Sequence, residues 1–288
     1  MAAIFGRGGN SSKAEMSFID HLEELRGHIV RSVLAILIIA VTIFIYRDWV
    51  FDNIITGPIN PDFISYRSLC SFSHWAHLGN ALCMPPVRVD MQSTTFGGQF
   101  ISTISMAFVG GFVLAFPYIF WEVWRFIKPA LKTTEISSTK FVIFWVSFFF
   151  FTGAAFGYFL LGPFTFNFLA GFQLGTKGTL ITRPTLNDYI DNLTNIILGC
   201  GIAFELPVLA YILTKIGLIT PTYLRKTRKY AVVVILVAAA VITPSPDWMS
   251  QMIVFLPLWF LYEISIIISS VVHKKQLENE KQKKLENE

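Results

Sequence analysis

Residues 21–46 read HLEELRGHIVRSVLAILIIAVTIFIY. The last eighteen of them, Ile29–Tyr46, carry a single charge, Arg31. An apolar run of that length suits a membrane-spanning helix. It is too long for the core of a secretory signal, and no small-residue cleavage site follows it, so the sequence predicts a retained span. Two carboxylates, Glu23 and Glu24, and the guanidinium of Arg26 stand at its mouth. What they do there depends on which side of the membrane the mouth faces.

Composition says how many such spans to expect. Of 288 residues 53% are hydrophobic and 15% charged, where a soluble domain carries about 25% charged. Mean hydropathy is +0.56. The reading is a single polytopic membrane domain over residues 1–288, all-α, with a polar tail over 1–16 and a charged tail over 273–288. Further apolar windows fall at Phe100–Trp121, Phe141–Leu161, Leu193–Ile216 and Met252–Val272. A sixth run, Tyr230–Ile242, has only thirteen residues, a length that also suits a re-entrant segment. Lys and Arg decide the matter. Six spans place 17 of them on the side of both termini and 5 on the other. Five spans would put the basic C-terminal tail on the wrong side. The positive-inside rule therefore gives six transmembrane helices, both termini in the cytoplasm, and a long periplasmic loop over 47–99.

The acids of the opening stretch then lie on the cytoplasmic side. Ser17 and Asp20 have capping-box spacing for a helix beginning near Phe18. Phe18, Leu22, Leu25 and Ile29 share one stripe, and Asp20 and Glu24 share another face. A cytoplasmic interface favours Lys and Arg because the leaflet is anionic, so paired acids there invite a cationic partner. The plainer alternative is an i,i+3 pair of Glu23 with Arg26 plus solvated acids. The next cytoplasmic segment, Trp121–Glu135, reads WEVWRFIKPALKTTE. It has aromatics at the bilayer edge, then Pro129 to break the helix, then Glu135.

One carboxylate falls inside a span: Glu205, in GIAFELPVLA (201–210). Such a group costs about 2.5–3.5 kcal/mol to insert, so it should face protein or water. Pro207 cannot bond the Ala203 carbonyl and should bend the helix there. The turn TPSPDWMSQ (243–251) is stiffened by Pro244 and Pro246 and gathers Thr243, Asp247 and Gln251 near the outer face, where Asp247 could cap the last helix. In the long loop, Cys70 and Cys83 would meet an oxidising compartment, which permits a disulfide. His74 and His77 lie between them, but the spacing is no standard zinc pattern, and no metal or cofactor is assigned. No nucleophile–base pair lies within the spans, so an enzyme is not expected. A secondary transporter for a small solute would suit Glu205, but no internal repeat supports it. Nothing points to nucleic acid.

Four segments in order, HLEELR (21–26), VWRFIKPAL with the following Glu135 (123–135), AFELPV (203–208) and ITPSPDWMSQ (242–251), resemble the TatC family over about residues 16–272. TatC is the substrate-receptor subunit of the twin-arginine protein translocase. The resemblance implies a concave six-helix bundle in the bacterial inner membrane. It implies that Glu24 and Glu135 bind the paired arginines of a signal peptide, with Phe126 and Pro129 shaping the site and Arg26 orienting the acids. A guanidinium can fork onto a carboxylate through two charge-assisted hydrogen bonds, which lysine cannot do. Glu205 would lie on the concave, water-accessible face and meet the signal peptide or a partner helix. Thr243 and Gln251 would hold the single-span partners TatA and TatB. Self-association, contact with membrane lipids and export driven by the proton gradient are also implied. The chain departs from the family pattern by one extra residue between Thr243 and Asp247, which leaves the register of that turn open, and by a longer outer loop.

Overall fold

A computed structural model of the chain describes residues 18–60, 62–75, 77, 79, 83, 90–127, 139–172, 183–243 and 248–286. Helix α1, Phe18–Ile45, is apolar nearly all round but buries only one stripe. His28, Ser32, Ile36 and Ala40 recur at every fourth residue and face inward. Ile29, Val33, Leu37 and Val41 are exposed, as a helix surrounded by lipid tails requires. The stripe runs antiparallel along α4, Gly98–Ile127. His28 meets Glu122 at one end, and Phe44 meets Phe100 at the other. Between them the backbones come close: a Cβ on Gly111 would stand 2.8 Å from the Ile36 carbonyl oxygen.

Helix α1 is followed by a short α2, Arg47–Val50, a π-helical turn, Phe51–Ile55, and a 3-10 turn, Gly57–Ile59. Then comes α3, Ile64–Trp75, a helix that the sequence reading did not predict within the long loop. Three tyrosines tie this region to the bundle. Tyr158 donates to the Ile54 carbonyl and Tyr189 to the Ile55 carbonyl, both at 2.6 Å. Tyr66 donates to the Pro58 carbonyl at 2.8 Å and reaches the Pro163 carbonyl of the bundle at 3.3 Å, and burial pushes its phenol up to about 12, so it remains a donor at neutral pH. Cys70 and Cys83 are joined in a disulfide. A single parallel bridge, Gln92 to Thr185, links the end of this loop to the next outer loop.

The third span is α5, Thr139–Phe156, a π-helical turn, Gly157–Leu161, and α6, Gly162–Gly171, so it runs ten residues past the expected Leu161. The fourth is α7, Leu186–Ala203, and α8, Leu206–Lys215, broken at Phe204–Glu205. The break falls where Pro207 leaves the Ala203 carbonyl without its helical donor. Gly217, with a φ of 77°, ends α8 in the left-handed conformation that favours glycine. After α9, Pro221–Lys226, the fifth crossing is α10, Arg228–Ile242, and the sixth is α11, Trp248–Glu286. Among the described residues five helical spans are long and apolar enough, by length and composition, to cross a membrane. Helix α10 has 15 residues, about 22 Å of rise, less than the roughly 30 Å hydrocarbon core. It brings the helical crossings among the described residues to six. Its buried residues, Ile235, Ala239 and Ile242, join a core shared with α7 and α11. The charged tail continues α11 as a helix to Glu286, and Gln276 donates to the Lys215 carbonyl at 2.7 Å, closing the end of α8.

Helices α5 and α7 touch through glycine. A Cβ on Gly153 would lie 2.4 Å from the Cys200 carbonyl oxygen and 2.7 Å from Phe204 Cβ. Gly153→Ala is expected to cost about 1–3 kcal/mol by overpacking, measured as a fall in the thermal midpoint of the purified protein in detergent. Gly171→Ala, where a Cβ meets nothing within 4 Å, should stay within about 0.5 kcal/mol of the parent.

Candidate functional site

The site is built at the ends of α1 and α4 that the charge count assigns to the cytoplasm. Helix α4 does not stop at Trp121 but runs on to Ile127. That extra turn carries Glu122, which is 1% exposed. A carboxylate taken from water costs several kcal/mol unless cations and donors answer it. Here His28 Nδ1 sits against Glu122 Oε2. Arg31 Nη1 lies 3.7 Å from the same oxygen, and Arg125 Nη1 lies 3.6 Å from Oε1. Arg125 also covers the Trp121 ring at 5.1 Å, a cation–π contact. The His28 ring meets Phe126 edge-on at 6.2 Å. Ser32 donates to the His28 carbonyl one turn along α1.

An open cavity of 400 Å³ lies beside this cluster, lined by Glu23, Glu24, Gly27, His28, Arg31 and Arg125. Gly27 leaves its wall bare, since a Cβ there would meet nothing within 4 Å. Glu24 is half-buried and Glu23 exposed. The one ion-pair contact of Glu24 among the described residues is His28 Nε2, at 4.0 Å. One imidazole therefore stands between two acids, tight against Glu122 and loosely facing Glu24. The arrangement can accept cations: one carboxylate is satisfied inside the protein, and two more face open space.

Of the residues singled out in the sequence, Glu24 lines this cavity and Phe126 stands at its edge. Arg26 is exposed and does not line it, and no ion pair joins it to Glu23 among the described residues. Pro129, Glu135 and the Ser17 cap lie outside the described residues, as do Pro244, Pro246 and Asp247. Glu205 occupies the break between α7 and α8, where its Oε1 is buried without a hydrogen-bond partner. Thr243, 5% exposed, donates back to the Ala239 carbonyl at 3.0 Å. Gln251 donates to the Leu236 carbonyl at 3.1 Å and so fastens α11 to α10. In the outer loop His74 Nε2 lies 3.7 Å from Cys83 Sγ, but sulfurs joined to each other are not thiolate ligands.

Sequence reading missed Glu122, His28, Arg31 and Arg125 as one group. The signals were present but faint: Glu122 and Arg125 at i,i+3 in WEVWR, and His28 and Arg31 at i+4 and i+7 from Glu24. It also missed Glu263 on α11, paired with Arg228 of α10 at 2.6 Å.

The family model for the Sec-independent protein translocase protein (TatC) matches residues 20–257. The chain belongs to the TatC family. A TatC protein of Blattabacterium sp. subsp. Periplaneta americana (strain BPLAN) is 39% identical over 269 residues, 92% of this chain and 99% of the relative. That of Aquifex aeolicus (strain VF5) is 33% identical over 267 residues, 92% of this chain and 100% of the relative. A crystal structure described as the twin arginine translocase receptor TatC superposes with a TM-score of 0.66 at 31% identity, covering 88% of this chain and 99% of that one. TatC membership makes the chain a multi-pass component of a protein translocase, without enzymatic activity, and sets aside the solute transporter.

In this TatC chain the buried cluster has a measurable stability consequence. His28→Ala removes the partner in closest contact with Glu122 and is expected to cost about 3 kcal/mol, seen as a lowered thermal midpoint in detergent. Glu23→Ala, at an exposed position, should change that midpoint by an amount worth less than about 0.5 kcal/mol.

Proposed function

We propose that this chain is the receptor and core subunit of a twin-arginine translocase in a bacterial inner membrane, and that it takes the arginine pair of a signal peptide at the cavity beside Glu24. The observation that carries the reading is the state of Glu24. It is a half-buried carboxylate on an open cavity, and among the described residues its one ion-pair contact is the His28 ring at 4.0 Å. Glu135 is the second carboxylate, on the segment that follows α4, so that each acid holds one guanidinium. Phe126 and Pro129 shape the rim between them. Arg26, which lies off the cavity, orients the neighbouring acids in this reading. The apolar part of the signal adds affinity within the spans, and Glu205 contacts it or a partner helix from the break in the fourth span.

Single-span partners of the TatA and TatB type dock, in this reading, on the short α10 and the outer turn. The lipid-facing residues Val233, Val237 and Val241 form an exposed apolar stripe there. Thr243 supports that face by closing the last turn of α10 on the Ala239 carbonyl, and Gln251 by bonding α11 to the Leu236 carbonyl of α10. Folded cargo then crosses at the expense of the proton gradient, in an assembly that holds several copies of the chain. The domain is one unit, with the loop over 47–99 on the periplasmic side.

The test is binding of a fluorescent twin-arginine signal peptide to the purified protein in detergent. Glu24→Ala and Glu135→Ala should each lose about 1 kcal/mol, roughly fivefold in Kd. The lysine-pair peptide should bind the parent more weakly than the arginine pair. Equal binding in all combinations would place recognition elsewhere.

A further inference from the structure

Glu122 has two guanidiniums of the protein's own, one from each helix, in Arg31 and Arg125. Both also line the cavity that holds Glu23 and Glu24. Their side chains are 53% and 47% exposed, so burial does not hold them in place. The charge of Glu122, deep between the helices, draws both inward, and the Trp121 ring adds a second contact on Arg125. Arg31 lies seven residues from Glu24 on α1, two turns along the same face, and three residues past His28, which touches both acids. A freed guanidinium on a long flexible arm would have Glu23 and Glu24 as its next carboxylates. The cavity would then be occupied by resident arginines.

We infer that Glu122 is a positioning residue that sequesters Arg31 and Arg125, and by doing so keeps Glu24, with Glu23 beside it, open to an incoming arginine of the signal peptide. The inference rests on the reading of this cavity as the arginine receptor. It makes the resident pair a competitor of the ligand, held off by a third carboxylate that never meets the peptide. Specificity follows from the same arrangement. A ligand must offer guanidiniums to acids that the protein's own guanidiniums would otherwise take.

The experiment compares twin-arginine peptide binding to the parent, to Glu122→Gln, and to variants that remove the competitors on that background. Glu122→Gln should weaken binding by about tenfold. Adding Arg31→Gln or Arg125→Gln should recover part of the loss, and adding both should return Kd to within about threefold of the parent. A purely structural role for Glu122 would not be repaired by removing two more of its neighbours. If Glu122→Gln binds like the parent, sequestration is wrong while the receptor reading stands. If it binds weakly and neither the double nor the triple variants recover, Glu122 is itself a ligand or a fold element and the inference is overturned. If the parent does not discriminate arginine-pair from lysine-pair peptide, the receptor reading fails and the inference falls with it.

Discussion

A carboxylate away from water must be met by donors and cations, and in this protein the side chain in closest contact with Glu122, His28, comes from a different helix. The rest of α1 is held to α4 by small or slender residues: Ser32, Ile36 and Ala40 against Gly111 and Ala115. Such surfaces allow close approach in a membrane, where burial of apolar area gives no advantage over contact with lipid. They also allow sliding, because one small residue is much like the next. An acid that must find its partner permits few registers. The contact of His28 with Glu122 therefore does two things at once. It aligns α1 on α4, and it places Glu24, one turn earlier on α1, beside the open cavity.

Polar groups elsewhere in the bundle follow the same economy. Arg228 and Glu263 pair across α10 and α11, and the hydroxyls of Thr214 and Ser269 lie 2.7 Å apart between α8 and α11. Tyr262 donates to the Leu224 carbonyl at 2.8 Å. Each of these is satisfied within the protein, as a low-dielectric setting demands. Against that background two carboxylates differ. Among the described residues Glu24 has a distant histidine as its one ion-pair contact, and Glu205 keeps one oxygen without a hydrogen-bond partner at a helix break. Those two are also positions for which the TatC resemblance implies contact with something outside the chain.

The spans were legible because hydropathy and charge act residue by residue. Six crossings, including the short α10, followed from where Lys and Arg fall, and the break before Pro207 followed from a missing N–H. Paired acids at a cytoplasmic interface are out of place, which drew attention to Glu23 and Glu24, and the family resemblance, not the spacing, singled out Glu24. Glu122 was not legible, for a physical reason. A hydropathy window closes at the first charge, so α4 was ended at Trp121, one residue short of it. Its partner His28 lies 94 residues away in sequence, and no local period reveals such a pair. The outer loop hid α3 for a similar reason: Tyr158 and Tyr189, which fix the segment before it, come from distant spans. Thr243 and Gln251 look free in sequence, yet both are spent on backbone carbonyls: Thr243 on Ala239 one turn back in α10, and Gln251 on Leu236, which only the packing of α11 on α10 brings within reach.

The most direct measurement is a double-mutant cycle that crosses Glu24→Gln with replacement of one signal-peptide arginine by glutamine, read by calorimetric titration in detergent. A guanidinium resting on Glu24 predicts a coupling free energy of about 1–2 kcal/mol for one of the two arginines. Coupling near zero for both arginines would contradict the account, because the carboxylate at the mouth of α1 would then hold neither of them.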